Sequence, residues 1–349
     1  MFFVIGSGSR TLPGLLQVSR MSGRASFSAH IHFPALPFIH FDQVFLQRHE
    51  VVVQLAALGL MKDQKNYFQI KSTLNTISTK SLTLAKNRAL ENSLIPKSFF
   101  ASSSSTRPIA TVLIGGPNED CSHNTERMVN RITRMIETQD YRVLISFSQR
   151  TANNTKQAIA HLVDRIQDTD RIFVYDPMAV DKKSSMQETA SWQNIPGPAG
   201  VLGFLEDRNP YLAMLELADC FVVTADSIAM TNEAVATGKP VYILGGELAR
   251  GKLKVFHRFL ADKNVTRAFR PGRIPISPTS TPNKRANNNA SNDTADPLSY
   301  PGDHPVWNNQ ALAGQGPDEI KRLGERLQIM RECRVAGRRV PDNIAQATS

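Results

Sequence analysis

The chain has 349 residues, 41% hydrophobic and 21% charged, a length that allows two ordinary domains and a balance normal for globular folds. Its net charge of +10 suits an acidic partner, but the lysines and arginines are scattered, so no basic block reads as a nucleic-acid footprint and no nucleic acid is expected. Cys121, Cys220 and Cys333 form no CxxC pair, which argues against a disulfide framework or a zinc site, and the longest apolar stretch, 51–61, is far short of the roughly 20 residues that span a bilayer.

Taken in chain order, residues 2–5 read as a buried strand that feeds the loop Gly6-Ser7-Gly8-Ser9, with a helix over 12–18. A second reading of the same residues is a mitochondrial transit peptide leading to matrix import, because Arg10, Arg20 and Arg24 precede the first acidic residue, Asp42. A strand over 44–46 and a helix within 82–91 follow. The stretch 93–108, with Ser102 to Ser105 and two prolines, has the composition of a linker.

Beyond it the alternation sharpens: strand 110–114, Gly115-Gly116, helix 125–137, strand 142–146, helix 155–166, strand 171–175. It resumes with helix 211–218, strand 220–224, helix 229–237 ended by Gly238, and strand 241–244. Such a rhythm predicts an α/β chain with parallel sheet. Residues 271–306, rich in Pro, Ser, Thr and Asn, predict disorder, and a last helix over 317–332 carries Ile320, Leu323, Leu327 and Met330 at helical spacing for docking on the body. The expected division is a partial N-terminal Rossmann-like domain over 1–95, a linker over 96–108, a C-terminal Rossmann-like nucleotide-binding domain over 109–270, a disordered insertion over 271–306, a docking segment over 307–335 and a flexible tail over 336–349. An echo between Ile5-Gly6-Ser7-Gly8-Ser9-Arg10-Thr11 and Ile145-Ser146-Phe147-Ser148-Gln149-Arg150-Thr151 supports two related domains, the first apparently truncated at its start.

The chemistry concentrates in residues 209–242. A buried strand ends there in Thr224-Ala225-Asp226-Ser227 and opens a helix whose first N–H groups lack partners, so that the helix end attracts phosphate. Ser227 and Thr231 would add hydroxyls beside Met230, and Glu233 would lean back toward a ribose diol. On the other reading Asp226 or Ser227 caps the helix and Glu233 faces solvent. Gly115-Gly116 suits close backbone approach to a ligand, or a turn needing positive φ. Arg150, behind Ser146 and Ser148, offers a bidentate contact to phosphate or a surface salt bridge. His123 is a candidate base or an ordinary surface histidine, and His49 beside Glu50 is a weaker candidate. No paired carboxylates, Ser/His/Asp array or metal cluster emerges, so no catalytic residue is assigned.

The motifs Gly8-Ser9-Arg10-Thr11, Phe41-Asp42 with His49, Gly115-Gly116-Pro117, Ser148 with Arg150-Thr151, Asn209-Pro210-Tyr211, Thr224-Ala225-Asp226-Ser227, Glu233-Ala234 with Thr237-Gly238-Lys239-Pro240-Val241-Tyr242, and Gly251-Lys252 with Phe256-His257 resemble those of the "elongated mitochondria" family of mitochondrial fission proteins. The resemblance covers most of the chain. It implies two Rossmann-like domains in a GT-B-like arrangement and no proven enzyme activity; a UDP-sugar-like ligand is expected, with no required cofactor and no metal. For the plant member it also implies a peripheral place on the cytosolic face of the mitochondrial outer membrane, where a dynamin-related GTPase is recruited. An active GT-B glycosyltransferase is the competing function. Ligand contacts are expected from Gly115, Gly116, Ser148, Arg150, Thr151, Ser227, Met230, Thr231 and Glu233. The chain departs from the family pattern at its start, over 119–124 and after Pro271.

Overall fold

A computed structural model describes residues 2–23, 25–47, 50–51, 66–70, 74–100, 107–166, 168, 170–179, 208–269 and 315–335. The chain forms two compact units, Met1–Thr76 with Gly314–Ser349, and Ile77–Ala313. Both are α/β with parallel sheet, the class that the alternation of strands and helices predicts.

In the first unit β1 (Phe2–Ser7), β2 (Ser26–Ile31), β3 (Gln43–Gln47) and β4 (Tyr67–Ile70) lie side by side in chain order, all parallel. Helix α1 (Leu12–Met21) follows β1, so the predicted strand over 2–5 and helix over 12–18 both form. Strand β2 eluded that reading because Ser26, Ser28 and His30 interrupt its apolar positions. These three are nonetheless buried: Asp42 accepts from the Ser28 amide at 2.7 Å and from its hydroxyl at 2.9 Å. Phe27, Ala29, Phe45, Phe68 and Ile70 are covered by Leu323, Leu327 and Met330 of the last helix, which spans Gln315–Val335. Its predicted docking therefore holds for three of the four apolar residues, whereas Ile320 is exposed.

The second unit begins earlier than the composition suggested. Helix α2 (Thr79–Glu91) starts at a Ser78–Ser81 capping box and sends Leu82 and Ala89 into that unit's cores, so it does not belong with the N-terminal strands. Nor are residues 97–100 linker: Phe99 is buried, Arg142 lies over its ring at 5.4 Å, and the Arg142 guanidinium donates to the Ser98 carbonyl. Two aromatics outweigh a serine- and proline-rich composition here.

From there β5 (Ile109–Ile114), α3 (Thr125–Glu137), β6 (Arg142–Phe147), α4 (Asn153–Ile166) and β7 (Ile172–Tyr175) are followed by α5 (Tyr211–Leu217), β8 (Cys220–Thr224), α6 (Ile228–Ala236), β9 (Val241–Leu244), α7 (Gly251–Asp262) and β10 (Arg267–Ala268). The sheet order is β10-β9-β8-β5-β6-β7, all parallel. Alternate residues of β5 feed opposite faces: Ala110, Val112 and Ile114 meet Met128, Ile132 and Ile159, while Leu113 joins Phe221, Leu253 and Phe256. Helix α6 ends as its sequence requires, with Gly238 at φ 78° donating to the Val235 carbonyl. The insertion 271–306, the apolar stretch over 52–61, His49 and the tail 336–349 lie outside the described residues.

Candidate functional site

Strand order decides where a ligand can sit. The chain first winds from β5 to β6 and β7 and then returns past β5 to β8, β9 and β10, so the direction of winding reverses between β5 and β8. In an open parallel sheet the loops diverge at such a point and leave a crevice at the carboxyl ends of the strands. Three sequence-predicted segments meet at this edge: Gly115-Gly116 after β5, Ser148 to Thr151 after β6, and Thr224 to Ser227 after β8.

Asp226 joins them. Its side chain is fully buried; Oδ2 accepts from the Gly116 amide at 2.9 Å and lies 3.5 Å from the Arg150 guanidinium, and Oδ1 meets His123 Nε2 at 2.9 Å. The Gly115 amide donates to Thr224 Oγ1 at 2.8 Å, and Asn118 Nδ2 donates to the Asp226 carbonyl. Neither glycine has a positive φ. Glycine is needed because a Cβ on Gly115 would stand 2.0 Å from Asp226 Oδ2, and one on Gly116 would stand 2.1 Å from the Arg150 carbonyl oxygen. The close approach expected of a ligand at these glycines is made by the protein's own carboxylate and backbone.

The loop after β6 is equally self-contained. Thr151 Oγ1 donates to the Ile114 carbonyl at 2.8 Å and accepts from the Ser148 amide, while the Arg150 amide donates to Ser148 Oγ. The Thr151 amide closes a turn on the Ser148 carbonyl at 3.1 Å; in the first unit the Thr11 amide makes the same turn on Gly8 at 3.2 Å, a structural counterpart of the sequence echo. Within this loop Gln149 and Arg150 are exposed, and Arg150 carries the only charge, its side chain 56% exposed.

At α6 the capping alternative holds for Ser227, whose hydroxyl accepts from the Met230 amide at 3.3 Å. Thr231 does not offer the expected hydroxyl, because it is fully buried and donates back to the Ser227 carbonyl. Met230 packs partly against the core. Among the described residues nothing accepts from the amides of Ile228 and Ala229, so the tip of the helix keeps two open donors.

Glu233 is neither solvated nor free. Tyr211 donates its hydroxyl to Glu233 Oε2, and Tyr211 is itself placed by Asn209, whose Oδ1 accepts the Tyr211 amide at 2.9 Å, and by Pro210 at the start of α5. Burial pushes the Glu233 carboxyl above its ordinary value, and the Tyr211 hydrogen bond offsets this only in part. A raised folded-state value means that this group's contribution to stability is complete below the ordinary glutamate range and is lost as pH rises through the folded value. Glu233→Gln, which still accepts from Tyr211, is therefore expected to melt above the parent at pH 7, with the gap closing below the ordinary glutamate range. Melting curves at the two pH values check this, and a gap that widens in acid would contradict it.

The remaining polar groups support the same edge. His257 Nε2 lies 2.7 Å from the Ala225 carbonyl, and burial lowers its pKa, so it buttresses the loop as a neutral ring. Burial, followed by the charge of Asp226, raises the Cys121 thiol to about 11, which leaves it a poor nucleophile. In the first unit Glu50 accepts from the amides of Gln47 and Phe33 and pairs with His32. Burial raises that carboxyl, but these bonds outweigh it and hold the group below its ordinary value, so Glu50 tidies a strand end. Sequence reasoning missed Tyr211, Thr224 and the joining role of Asp226. Asn209-Pro210-Tyr211 was a visible signal for the first, while the partners of Asp226 lie 76 to 110 positions upstream. Among the described residues no group of three His, Cys, Asp or Glu could hold a metal, and no helix is long and apolar enough to cross a membrane.

Comparison with known proteins agrees with these motifs. The chain is 22% identical over 283 residues to the "Mitochondrial fission protein ELM1" of Arabidopsis thaliana, an alignment covering 76% of this chain and 56% of the relative. It is 26% identical over 253 residues to the "Uncharacterized protein RP120" of Rickettsia prowazekii, covering 68% and 63%. The chain thus spans less than two thirds of the length of either curated relative. Among solved structures it is similar to a UDP-GlcNAc 2-epimerase from Methanocaldococcus jannaschii, at 18% identity and a TM-score of 0.44 over 76% of this chain and 65% of the other. A complex of that archaeon's UDP-GlcNAc 2-epimerase with UDP-GlcNAc and UDP gives 12% identity and a TM-score of 0.32 over 77% and 88%. The family described as Mitochondrial fission ELM1 matches residues 2–190 and 197–295, and the chain belongs to that family.

Proposed function

We propose that this chain is a mitochondrial fission factor, peripheral to the cytosolic face of the outer membrane, whose second unit binds a nucleotide-diphospho-sugar at the crevice between β5 and β8. Membership of the fission family and the name of the plant relative support the cellular role, with a dynamin-related GTPase as the partner. The observation that carries the ligand site is the pair of open amides at Ile228 and Ala229, at the amino end of α6 and beside the point where the winding reverses. The diphosphate sits on these amides, with the exposed Arg150 guanidinium as its counter-charge and Glu233 one turn further along the helix. Gly115 and Gly116 shape the site from behind, since their amides already serve Thr224 and Asp226.

Ile228→Pro tests this directly. Proline fits the first position of a helix, and Ser227 before it is already extended at φ −113° and ψ 101°, so the substitution removes one donor and keeps the helix. Calorimetry with UDP-sugars is expected to show binding to the parent, weakened about tenfold or more in Ile228→Pro and unchanged in Ile228→Val. Absence of heat with every UDP-sugar removes the ligand site. Mitochondria of normal length in cells lacking the protein remove the fission role.

The His123–Asp226 pair favours a second reading, sugar transfer, because a carboxylate-oriented imidazole is a competent general base. Release of sugar into an acceptor from a bound UDP-sugar would establish that reading instead.

A further inference from the structure

The amino end of α3 and the turn after β9 enclose a second feature at the same edge, a cavity of about 30 Å³ lined by His123, Arg127, Arg131, Thr224, Gly245 and Glu247 among others. Arg127 and Arg131 stand one helical turn apart and converge on a single oxygen, Glu247 Oε1, at 3.2 and 3.3 Å. Glu247 and Arg127 are well exposed, at 44% and 56%, so this ion pair is weakly held and readily exchanged. His123 is different. Its side chain is only 9% exposed, Nε2 is tied to Asp226, and Nδ1 is buried with no hydrogen-bond partner among the described residues. A buried polar atom left without a partner asks for one.

We propose that this cavity is a binding site for a phosphomonoester or inorganic phosphate, held by Arg127, Arg131 and His123 Nδ1, with Glu247 standing in for the anion until it arrives. The choice of phosphate follows from the proton inventory. With Nε2 carrying its proton toward the Asp226 carboxylate, Nδ1 presents a lone pair and needs a donor. A carboxylate or sulfate ligand brings no proton, whereas a hydrogen phosphate brings anionic oxygens for both arginines and a P–OH for the imidazole. The cavity holds one or two waters, so the Glu247 carboxylate swings outward as the phosphate enters. The site uses none of the amides at the tip of α6, and Ile228→Pro leaves it intact whatever becomes of the nucleotide-sugar reading.

The test follows histidine ¹⁵N shifts and binding heats as the full chain is titrated with inorganic phosphate, glycerol 3-phosphate and, at matched ionic strength, sulfate. Phosphate and glycerol 3-phosphate are expected to move the His123 Nδ1 resonance while sulfate does not. Arg131→Met is expected to weaken phosphate about tenfold, and Glu247→Gln to tighten it by about the same factor, since the internal competitor loses its charge. If Arg131→Met disturbs folding, Glu247→Gln alone decides. Co-sedimentation with phosphatidylcholine vesicles containing phosphatidate, in place of binding to the soluble ester, assigns the phosphomonoester to a lipid headgroup. An equal response to sulfate, or a Glu247→Gln variant with unchanged phosphate affinity, overturns the proposal.

Discussion

Gly115→Ala is expected to destabilise the second unit by about 3–5 kcal/mol, the sum of overpacking and of buried donors left without an acceptor. The new methyl would begin 2.0 Å from Asp226 Oδ2, 2.5 Å from Oδ1 and 2.6 Å from Cγ. A long side chain could swing aside, but this short carboxylate is held by Gly116 and His123 and is fully buried, so it must abandon both partners. For a unit of this size the loss corresponds to a fall of roughly 10 °C in melting temperature. Gly14→Ala is the control, because a methyl there meets nothing within 4 Å among the described residues in the first turn of α1 and is expected to gain up to about 0.5 kcal/mol from helix propensity alone. Thermal and urea denaturation of the full chain compare the two. A Gly115→Ala variant that melts within a degree or two of the parent would show that the Asp226 packing is not what demands glycine.

Much of the second unit was legible because its signals are local. Strands β5, β6 and β8 are mostly apolar and buried at every position, as parallel strands between two helix layers must be. Helix α3 announces itself by Asn124, whose side chain accepts from the Arg127 amide, and α6 by Ser227 and Gly238 at its two ends. What was not legible depends on partners distant in sequence. Strand β2 hides behind polar residues, of which Ser28 is satisfied by Asp42 from 14 positions away and His30 reaches the Gly8 carbonyl. Helix α2 looks like part of the N-terminal half until Leu82 is seen beside residues of β8 and α7. The site divides in the same way: spacing exposed the helix tip at Ser227 and the glycine turn, yet it could not show that the turn is filled by Asp226 or that His123, a plausible surface residue, is nearly buried against that carboxylate.

Asp226→Ala is expected to be as damaging as the glycine substitution, at about 3–5 kcal/mol, since it removes one member of a buried charge network and strands the rest. Asp226→Asn makes the sharper experiment. Its carbonyl oxygen can replace Oδ2 in accepting from Gly116, and its amide then faces His123 Nε2 as a donor. The imidazole can meet that donor by moving its own proton from Nε2 to Nδ1, so the expected cost is only about 1–2 kcal/mol. Histidine ¹⁵N spectra would report the tautomer switch, and denaturation would report the difference between the two variants. The switch also turns the buried Nδ1 from a lone pair into an N–H on a residue that lines the cavity with Arg127 and Arg131, with one negative charge fewer behind it. Selection for a proton-bearing anion should then disappear, and sulfate should bind the Asp226→Asn protein about as well as phosphate does. If His123 keeps its tautomer in that variant, the carboxylate does not set the proton position, and the rejection of sulfate by the parent protein needs a different cause.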